Sequence, residues 1–280
     1  MTEFETQLIA LRPKLHRYCA RMVGSALDAE DIVQDGIAAA LRKLPSQTVR
    51  NPESWLFRIV HNRALDHLRR AENVPMLPLP EDPIDEDSPP PFEQKEMATF
   101  ALSIFMQLTP LQRCAVILKD VMGYSLSEVS ELLDLSVGGV KSALHRGRDN
   151  LKQISAREPT TQRIEIKDNQ RALLKDYVQR FSTRDFDGIR ARLLEDVELE
   201  LVHRIQSKGA KRVGRYYSNY EAVDLFSVVP CSVEGRLAMH VTDEVGAYFV
   251  LLNWCDDRLS AIKDFRYARY VCDSVEVTFL

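Results

Sequence analysis

Residues 108–152 read LTPLQRCAVILKDVMGYSLSEVSELLDLSVGGVKSALHRGRDNLK. Apolar periodicity predicts a helix over Leu111–Met122, which Gly123 ends. Ser125 followed by Glu128 is the capping-box pattern that starts a second helix. This stretch therefore predicts a helical bundle, and its last two helices guide the interpretation of the rest of the chain.

A tight turn separates the last two helices of the stretch. Asp134–Ser136 fits such a turn, and Ser136 is a natural N-cap for the helix that follows. In that helix Val140, Leu144 and Leu151 form one inward stripe. Six other residues of this helix are predicted to point outward: Val137, Lys141, Ser142, His145, Arg146 and Arg148.

A helix-turn-helix lays the N-terminal turns of its second helix into the DNA major groove, and its basic side chains meet phosphates. A basic amphipathic helix can instead be only a solvated face. Because the caps, the turn length and the apolar stripe agree, the pattern favours DNA binding.

The same stretch resembles region 4 of the extracytoplasmic-function (ECF) sigma factors of the sigma-70 family. The resemblance is carried by LTPLQR, GYSLSEVSELLDLS and SVGGVKSALHRGRDNLK, and it implies that the six outward residues bind the minus-thirty-five promoter element. Gly139 stands where the family often has Thr, and Gly147 where Ala is common. A glycine inside a helix costs roughly 0.5–1 kcal/mol relative to Ala. We therefore expect the second helix of the helix-turn-helix, which would contact DNA, to be unusually flexible.

Composition limits the possible classes of protein. The chain has 280 residues, 45% of them hydrophobic, enough for two or three domains with real cores. Its net charge is −4, so a nucleic-acid surface must be a local basic patch. Five widely spaced cysteines without metal-ligand spacing predict no metal site, no cofactor and reduced thiols in the cytoplasm. The longest apolar runs, such as Tyr248–Leu252, are too short to span a bilayer.

The chain before the helix-turn-helix also reads as helices, the first over residues 4–21. A second, over Asp28–Leu44, would bury its apolar residues and leave Asp31, Gln34 and Asp35 outward. The aspartates could instead have only a structural role, in which their negative charges interact favourably with the helix dipole on a solvent-exposed face. The segment resembles sigma region 2.2, however, and the resemblance implies that the three residues contact core RNA polymerase.

The next helix, over Ser54–Arg70, carries an apolar stripe that includes Trp55, and an excess of arginine. It resembles sigma regions 2.3 and 2.4, in particular the pattern W-L-x-x-I-V-x-N-x-x-x-D. The resemblance implies contacts to the minus-ten element, where melted DNA exposes base edges and faces. The candidates lie on the helix and in the loop before it: Arg50, Asn51, Asn62, Arg63 and Asp66.

Seven of the thirteen prolines fall between Pro75 and Pro91, among many acids. Proline and like charges favour an extended linker. The predicted domains are a region 2 domain at 1–72, the linker at 73–95, a region 4 domain at 96–155, a connector at 156–167 and a C-terminal domain at 168–280.

After residue 168 the pattern changes to helices followed by alternating strands. Helices are predicted at 168–181, 186–194 and 217–226, and strands at 197–201, 236–241, 246–253, 259–265 and 275–280. This order predicts an α+β domain, so the fold class is multidomain: two all-α domains and one α+β domain. The element order and RDFDGIRARLLEDVELE resemble SnoaL-like domains, the cone-shaped fold shared with nuclear transport factor two.

Some cone-shaped relatives are isomerases or cyclases, which need an acid or base in the cavity. The available candidates are His203, Asp224, His240 and Asp264, but none stands in a catalytic phrase, so the chain is not expected to be an enzyme. The resemblance instead implies a sigma factor with core RNA polymerase and promoter DNA as partners. Its C-terminal domain would regulate it through a small ligand or an intramolecular contact.

Two other classes remain open: a one-lobe helix-turn-helix regulator with a ligand-binding domain, and an enzyme fused to a DNA-binding module. A one-lobe regulator has no use for the docking and strand-melting helices of residues 28–70, which argues against it.

Overall fold

The computed structural model describes residues 3–43, 51–72, 102–155, 166–221, 226–275 and 277–280. Backbone contacts divide the chain into two compact units, Met1–Thr161 and Gln162–Leu280. The predicted linker at 73–95, Arg50, Asp224 and most of the predicted connector lie outside the described residues. Each unit is therefore considered by itself.

The first unit begins with an N-terminal lobe of four helices. They are α1 (Glu3–Ala10), α2 (Arg12–Val23), α3 (Ala26–Lys43) and α4 (Pro52–Glu72). The prediction of one helix over residues 4–21 is wrong, because α1 ends before Leu11 and α2 begins after it. Pro13 explains the break, since proline has no backbone N–H and fits only the first turn of a helix.

The first unit continues with a helix-turn-helix lobe. Its elements are α5 (Leu102–Phe105), α6 (Pro110–Val116), α7 (Leu126–Leu133) and α8 (Val137–Ser155), and α6 runs on into a π-helical turn, Ile117–Val121. Residues 96–101 of the predicted region 4 domain lie outside the described residues.

The predicted caps of the helix-turn-helix are confirmed. The Glu128 backbone N–H donates to Ser125 Oγ at 3.2 Å, and the Ser125 N–H donates to Glu128 Oε2 at 2.7 Å. Asp134 ends α7 in the left-handed region with φ 57°. The Gly139 N–H donates to Ser136 Oγ at 3.1 Å, which caps α8.

The second unit is an α+β domain, as predicted. It contains α9 (Asp168–Ser182), α10 (Phe186–Arg190) and α11 (Ala210–Glu221). Its strands are β1 (Leu193–Leu201), β2 (Ile205–Lys208), β3 (Phe226–Val233), β4 (Arg236–Asp243), β5 (Gly246–Cys255), β6 (Arg258–Asp264) and β7 (Val277–Phe279).

The seven strands form one mixed sheet in the order β2-β1-β6-β5-β4-β3-β7. All neighbours are antiparallel except β1 and β6, which are parallel. Alternate residues of β5 (Tyr248, Val250 and Leu252) join the core formed with α9 and α11, where Phe181 and Tyr217 are fully buried. Phe249 and Leu251, which point to the opposite face of the sheet, are buried as well, so β5 is covered on both faces.

Several parts of the second unit differ from the sequence prediction. The helix expected at 186–194 ends at Arg190, β1 begins at Leu193, and β2 was not predicted. The helix expected at 217–226 is instead Ala210–Glu221, and β3 begins at Phe226. The inward face of α11 consists of Val213, Tyr216, Tyr217 and Tyr220, whose i, i+3, i+4, i+7 spacing is helical. Tyrosine and valine also favour strands, so among the sequence features only this spacing indicated a helix here, and the sequence prediction did not use it.

None of the described helices is long and apolar enough to cross a membrane. The described residues also contain no group of three or more His, Cys, Asp or Glu side chains placed to hold a metal ion.

The ion pair between Arg148 and Asp120 gives a stability prediction. It joins α8 to the π-helical turn with both side chains buried, so Asp120→Asn should leave a buried guanidinium without its charge partner. We expect the variant to lose about 3–5 kcal/mol of unfolding free energy. The matched control is Asp66→Asn, which removes an exposed pair with Arg69 and should cost at most about 1 kcal/mol. Urea unfolding followed by circular dichroism measures both, and equal losses would contradict a structural role for the buried pair.

Candidate nucleic-acid interface

Along the second helix of the helix-turn-helix, α8, the exposure of the predicted DNA-contacting side chains decreases from the N-terminus onward. Val137 and Lys141 are exposed near its N-terminus, where Val137 keeps 41% of its surface. Ser142, His145 and Arg146 are half-buried further along the helix. The N-terminal turns of α8 are therefore the part most open to a groove of DNA.

Arg148 does not belong to this surface, and the prediction that it points outward is wrong. Its Nε donates to Asp120 Oδ2 at 2.9 Å and its Nη2 donates to Asp120 Oδ1 at 2.7 Å. This bidentate pair fixes α8 against the preceding turn. Eleven residues separate Arg148 from Val137, which is three helical turns with only about 20° of drift, so the two residues share one face of α8. Arg148 is buried because the π-helical turn that carries Asp120 covers this face further along the helix.

The glycines of α8 have two different explanations. A Cβ at Gly147 would lie 2.7 Å from Val116 Cγ2, so this glycine lets α8 approach α6 closely. At Gly139 an added Cβ would meet only Ser136 Oγ, at 3.3 Å. Gly147 is thus required by packing, whereas Gly138 and Gly139 leave the first turn of α8 with little side-chain bulk.

The helix-turn-helix lobe packs directly on the N-terminal lobe through Arg113. Its guanidinium is 1% exposed and donates to the carbonyl oxygens of Met22, on α2, and of Met106 and Leu108. A buried charge is tolerated when its donors find acceptors, and here carbonyl groups from both lobes accept from Nη1 and Nη2.

A cluster of three polar side chains lies beside Arg113. Tyr18 Oη, on α2, is 2.6 Å from His61 Nδ1, on α4, and 3.4 Å from Cys114 Sγ, on α6. Burial lowers the pKa of His61 to about 4 and raises the pKa of Cys114 to about 11. Both groups are therefore neutral at pH 7, as their position between two lobes requires.

Two further contacts join the lobes near their surface. Glu53 Oε1, on α4, accepts hydrogen bonds from Lys14 Nζ at 2.5 Å and from Tyr124 Oη at 2.7 Å. The Lys14 hydrogen bond is the largest cause of the lowered pKa of Glu53. Arg58 Nη2 donates to the Glu131 carbonyl oxygen at 2.7 Å, which brings α4 against α7.

The predicted residues of the N-terminal lobe lie on α3 and α4. Asp31 and Asp35 are exposed and Gln34 is half-buried, one helical turn apart on α3. Asn62 and Asp66 are exposed on α4.

Two contacts relate these residues to their surroundings. Arg63 Nη1 lies 3.6 Å from Asp35 Oδ2, so the two predicted surfaces of this lobe adjoin each other. Asn51 precedes α4, and its Oδ1 accepts the Ser54 N–H at 3.1 Å. It therefore caps the helix, a role that the sequence analysis did not assign to it.

Comparison with known proteins matches both lobes to one family. The Sigma-70 region 2 model matches residues 8–74, and the Sigma-70 region 4 model matches residues 102–151. The ECF RNA polymerase sigma factor SigM of Mycobacterium tuberculosis is 34% identical over 145 residues, which cover 50% of this chain and 71% of SigM. The chain belongs to the ECF RNA polymerase sigma factors.

Two other similarities extend the comparison. SigE of Mycolicibacterium smegmatis is 31% identical over 149 residues, so the aligned part spans 51% of this sigma factor and only 58% of SigE. The solved structure of the M. tuberculosis ECF sigma factor SigJ aligns with 92% of this chain and 95% of its own, with 19% identity and a TM-score of 0.36.

The sigma factor has no converging acid and base at the candidates that the sequence offered in its second unit, as far as they are described. His203 Nε2 is 2.9 Å from Tyr270 Oη. His240, on β4, packs edge-on against Phe279 and so lies on the sheet face away from the tyrosine-rich core. Asp264 is buried and hydrogen-bonded to Tyr216 and Tyr220.

Sequence reasoning missed the residues that join the lobes of this sigma factor. Arg113 and Cys114 stand in an apolar helix, where a polar residue at a core position was the available signal. Trp55, expected in the core, is half-buried on α4.

The lowered pKa of His61 predicts a pH dependence of stability. An unfolded chain binds a proton near pH 6.5, whereas the folded chain resists protonation down to about pH 4, so stability is lost as the pH falls through this window. The loss should reach about 3 kcal/mol at most. Urea unfolding at pH 7, 5.5 and 4.5 should show a shallower pH slope for His61→Gln than for the parent chain.

The matched control is His67→Gln, a half-buried histidine on the same helix. It should keep the parental slope between pH 7 and 4.5. Parental slopes in both variants would show that the burial of His61 does not govern the acid sensitivity.

Proposed function

We propose that this sigma factor directs promoter-specific initiation by docking on core RNA polymerase through Asp31, Gln34 and Asp35. The observation that supports the docking surface is the exposure of both acids on one face of α3. We place the protein in the cytoplasm, where core polymerase acts.

The minus-ten element is proposed to contact α4 and the loop before it. Asn62 and Asp66 offer exposed hydrogen-bonding groups, and Arg63 offers a positive charge that already pairs with Asp35. Arg50 and Asn51 complete the proposed set on the side of the loop. Melted bases need such polar edges for their recognition.

The minus-thirty-five element is proposed to contact the N-terminal turns of α8 through Val137, Lys141, Ser142, His145 and Arg146. The support is the confirmed capped turn, which exposes the beginning of α8 while the remainder packs on α6 and α7. Arg148 contributes by holding α8 in place.

We infer further that the contact between the lobes is a closed form that opens on the promoter. The two promoter elements lie roughly 25 base pairs apart, about 85 Å at ~3.4 Å per base pair. Laid end to end, α4, α7 and α8 would reach only about 70 Å at ~1.5 Å per residue, yet α4 and α7 are in direct contact. The lobes must therefore separate before both elements are read at once.

The C-terminal domain is proposed to regulate the sigma domains and to have no catalytic role. The support is that the contacts of the three described candidates are with aromatic side chains: His203 with Tyr270, His240 with Phe279, and Asp264 with Tyr216 and Tyr220. Its effect on transcription can have either sign.

The first test is run-off transcription with purified core RNA polymerase. The full-length chain should give a promoter-dependent transcript, and Asp31→Lys combined with Asp35→Lys should reduce it at least tenfold, because two charges on the docking face are reversed. The matched control reverses two exposed acids of β1, Glu195→Lys with Asp196→Lys, and should keep the parental transcript level. No transcript from the parent chain, or equal transcripts from all three, would refute the proposed docking surface.

The same assay tests regulation. A chain that ends at Lys167 should give a transcript level different from that of the full-length chain at equal concentration. Identical levels over a range of concentrations would remove the regulatory role.

The minus-thirty-five surface predicts a change in salt dependence. Lys141→Ala and Arg146→Ala should each weaken promoter binding and lower the slope of log K against log salt by about 1, because each lost phosphate contact releases one counterion fewer. Lys175→Ala, an exposed lysine on α9, is the control. Filter binding by the polymerase holoenzyme between 50 and 200 mM salt measures the slopes, and parental slopes for both α8 variants would exclude these residues from the DNA face.

A further inference from the structure

The second unit contains an open cavity of about 330 Å³ that the sigma function does not use. We call it the ring–arginine pocket. It lies where β4 ends, β5 begins and β6 ends. Its wall is made chiefly of aromatic rings and two arginines: Tyr220, Phe226, Tyr248, Tyr267, Arg266 and Arg269. A volume of roughly 300 Å³ is at the lower end of the range for small-molecule sites.

The rim of the pocket exposes apolar surface to solvent. Tyr267 keeps 47% of its surface and Val245 keeps 81%. The Arg204 guanidinium lies 4.8 Å from the Tyr267 ring centroid, which adds positive charge at this edge. Exposed rings beside a concavity are typical of a surface that a ligand covers.

One of the two arginines is fully used by the protein. Arg269 forms a bidentate pair with Asp243, at 2.9 and 2.6 Å, and also donates to the carbonyl oxygens of Gly246 and Arg266. It therefore braces the β4–β5 turn and neutralises Asp243, the one acid among the described residues that line the pocket.

The other arginine has no such partner. Arg266 donates from Nε and Nη2 to Tyr248 Oη, at 3.2 and 2.9 Å, and its guanidinium lies 4.4 Å from the Tyr220 ring centroid. Among the described residues, no carboxylate forms an ion pair with Arg266, and its Nη1 donates no hydrogen bond. Two tyrosines hold the guanidinium in a fixed orientation, and it keeps N–H groups that can donate to a ligand.

A buried network fixes these tyrosines from below. Tyr248 Oη is 3.1 Å from Tyr220 Oη, and Tyr220 donates to Asp264 Oδ2, also at 3.1 Å. Tyr216 donates to the same oxygen at 2.8 Å, and the backbone N–H of Arg266 donates to Asp264 Oδ1 at 2.8 Å. The position of the guanidinium is therefore set before any ligand arrives, which reduces the entropy cost of binding.

We propose that the ring–arginine pocket binds a small organic anion with a flat apolar body, of the class of aromatic carboxylates. The carboxylate pairs with the spare donors of Arg266, whose planar fork suits two carboxylate oxygens. The apolar body lies against the rings of Tyr248, Phe226 and Tyr267. Bare phosphate matches the charge but leaves the ring walls uncovered, so it should bind more weakly.

The test uses the full-length chain and 2-naphthoate, with the neutral 2-naphthalenemethanol and inorganic phosphate as comparison probes. Isothermal titration at pH 7 should show 2-naphthoate binding at least tenfold more tightly than either. Arg266→Gln should remove the preference for the acid over the alcohol, and Arg266→Lys should restore only part of it. The matched control is Arg215→Gln, an exposed arginine on the outer side of α11, which should bind like the parent.

A second variant keeps the test decisive if Arg266→Gln fails to fold. Tyr267→Ala removes a half-exposed ring at the rim and should weaken 2-naphthoate at least threefold. Equal affinity for the acid and the alcohol, phosphate binding as tight as naphthoate, or parental affinity in Tyr267→Ala would each overturn the proposal. Because binding is measured without polymerase or DNA, the result is separate from the outcome of the transcription assay.

Discussion

The first unit depends on how it accommodates the buried charge of Arg113. A guanidinium excluded from water must find acceptors for its donors, and here they are carbonyl oxygens at Met22, Met106 and Leu108. Two of these lie just before α6 and one lies at the end of α2. The charge thus fixes the entry to the helix-turn-helix lobe against the N-terminal lobe.

This way of satisfying a charge suits a contact that must open. Carbonyl acceptors can be exchanged for water at modest net cost, whereas a broken buried ion pair leaves two charges unpaired. The neutral pair of Tyr18 and His61 beside Arg113 follows the same logic, since neither group loses an opposite charge on exposure. The lobes of this sigma factor are joined by polar contacts that hold in the closed form and can be hydrated in an open one.

The sequence specified local structure better than long-range pairing. The caps at Ser125 and Ser136 were predictable because each depends on residues three positions apart. The pairing of Asp120 with Arg148 was not, because it joins residues 28 positions apart and depends on how the π-helical turn packs against α8. In the second unit the tyrosines of α11 suited either helix or strand by residue type, and only their helical spacing favoured a helix. The same limit applied to the candidate sites: the exposure of Asp31, Asp35 and Lys141 could be predicted from the apolar stripes, but the burial of Arg148 and the capping role of Asn51 could not.

Arg148 and Arg266 show that an arginine can either stabilise the fold or be available to bind a ligand. Arg148 meets a buried carboxylate in a bidentate pair, so its charge and its geometry are both satisfied within the fold. Arg266 meets the hydroxyl of Tyr248 and the face of Tyr220, which orient the guanidinium, and among the described residues no carboxylate forms a direct ion pair with it, although the buried Asp264 lies near enough to attract it. A rigid cation at the wall of an open cavity is stabilised further only by an anion from outside. The fold of the second unit therefore already contains the condition for recognising one.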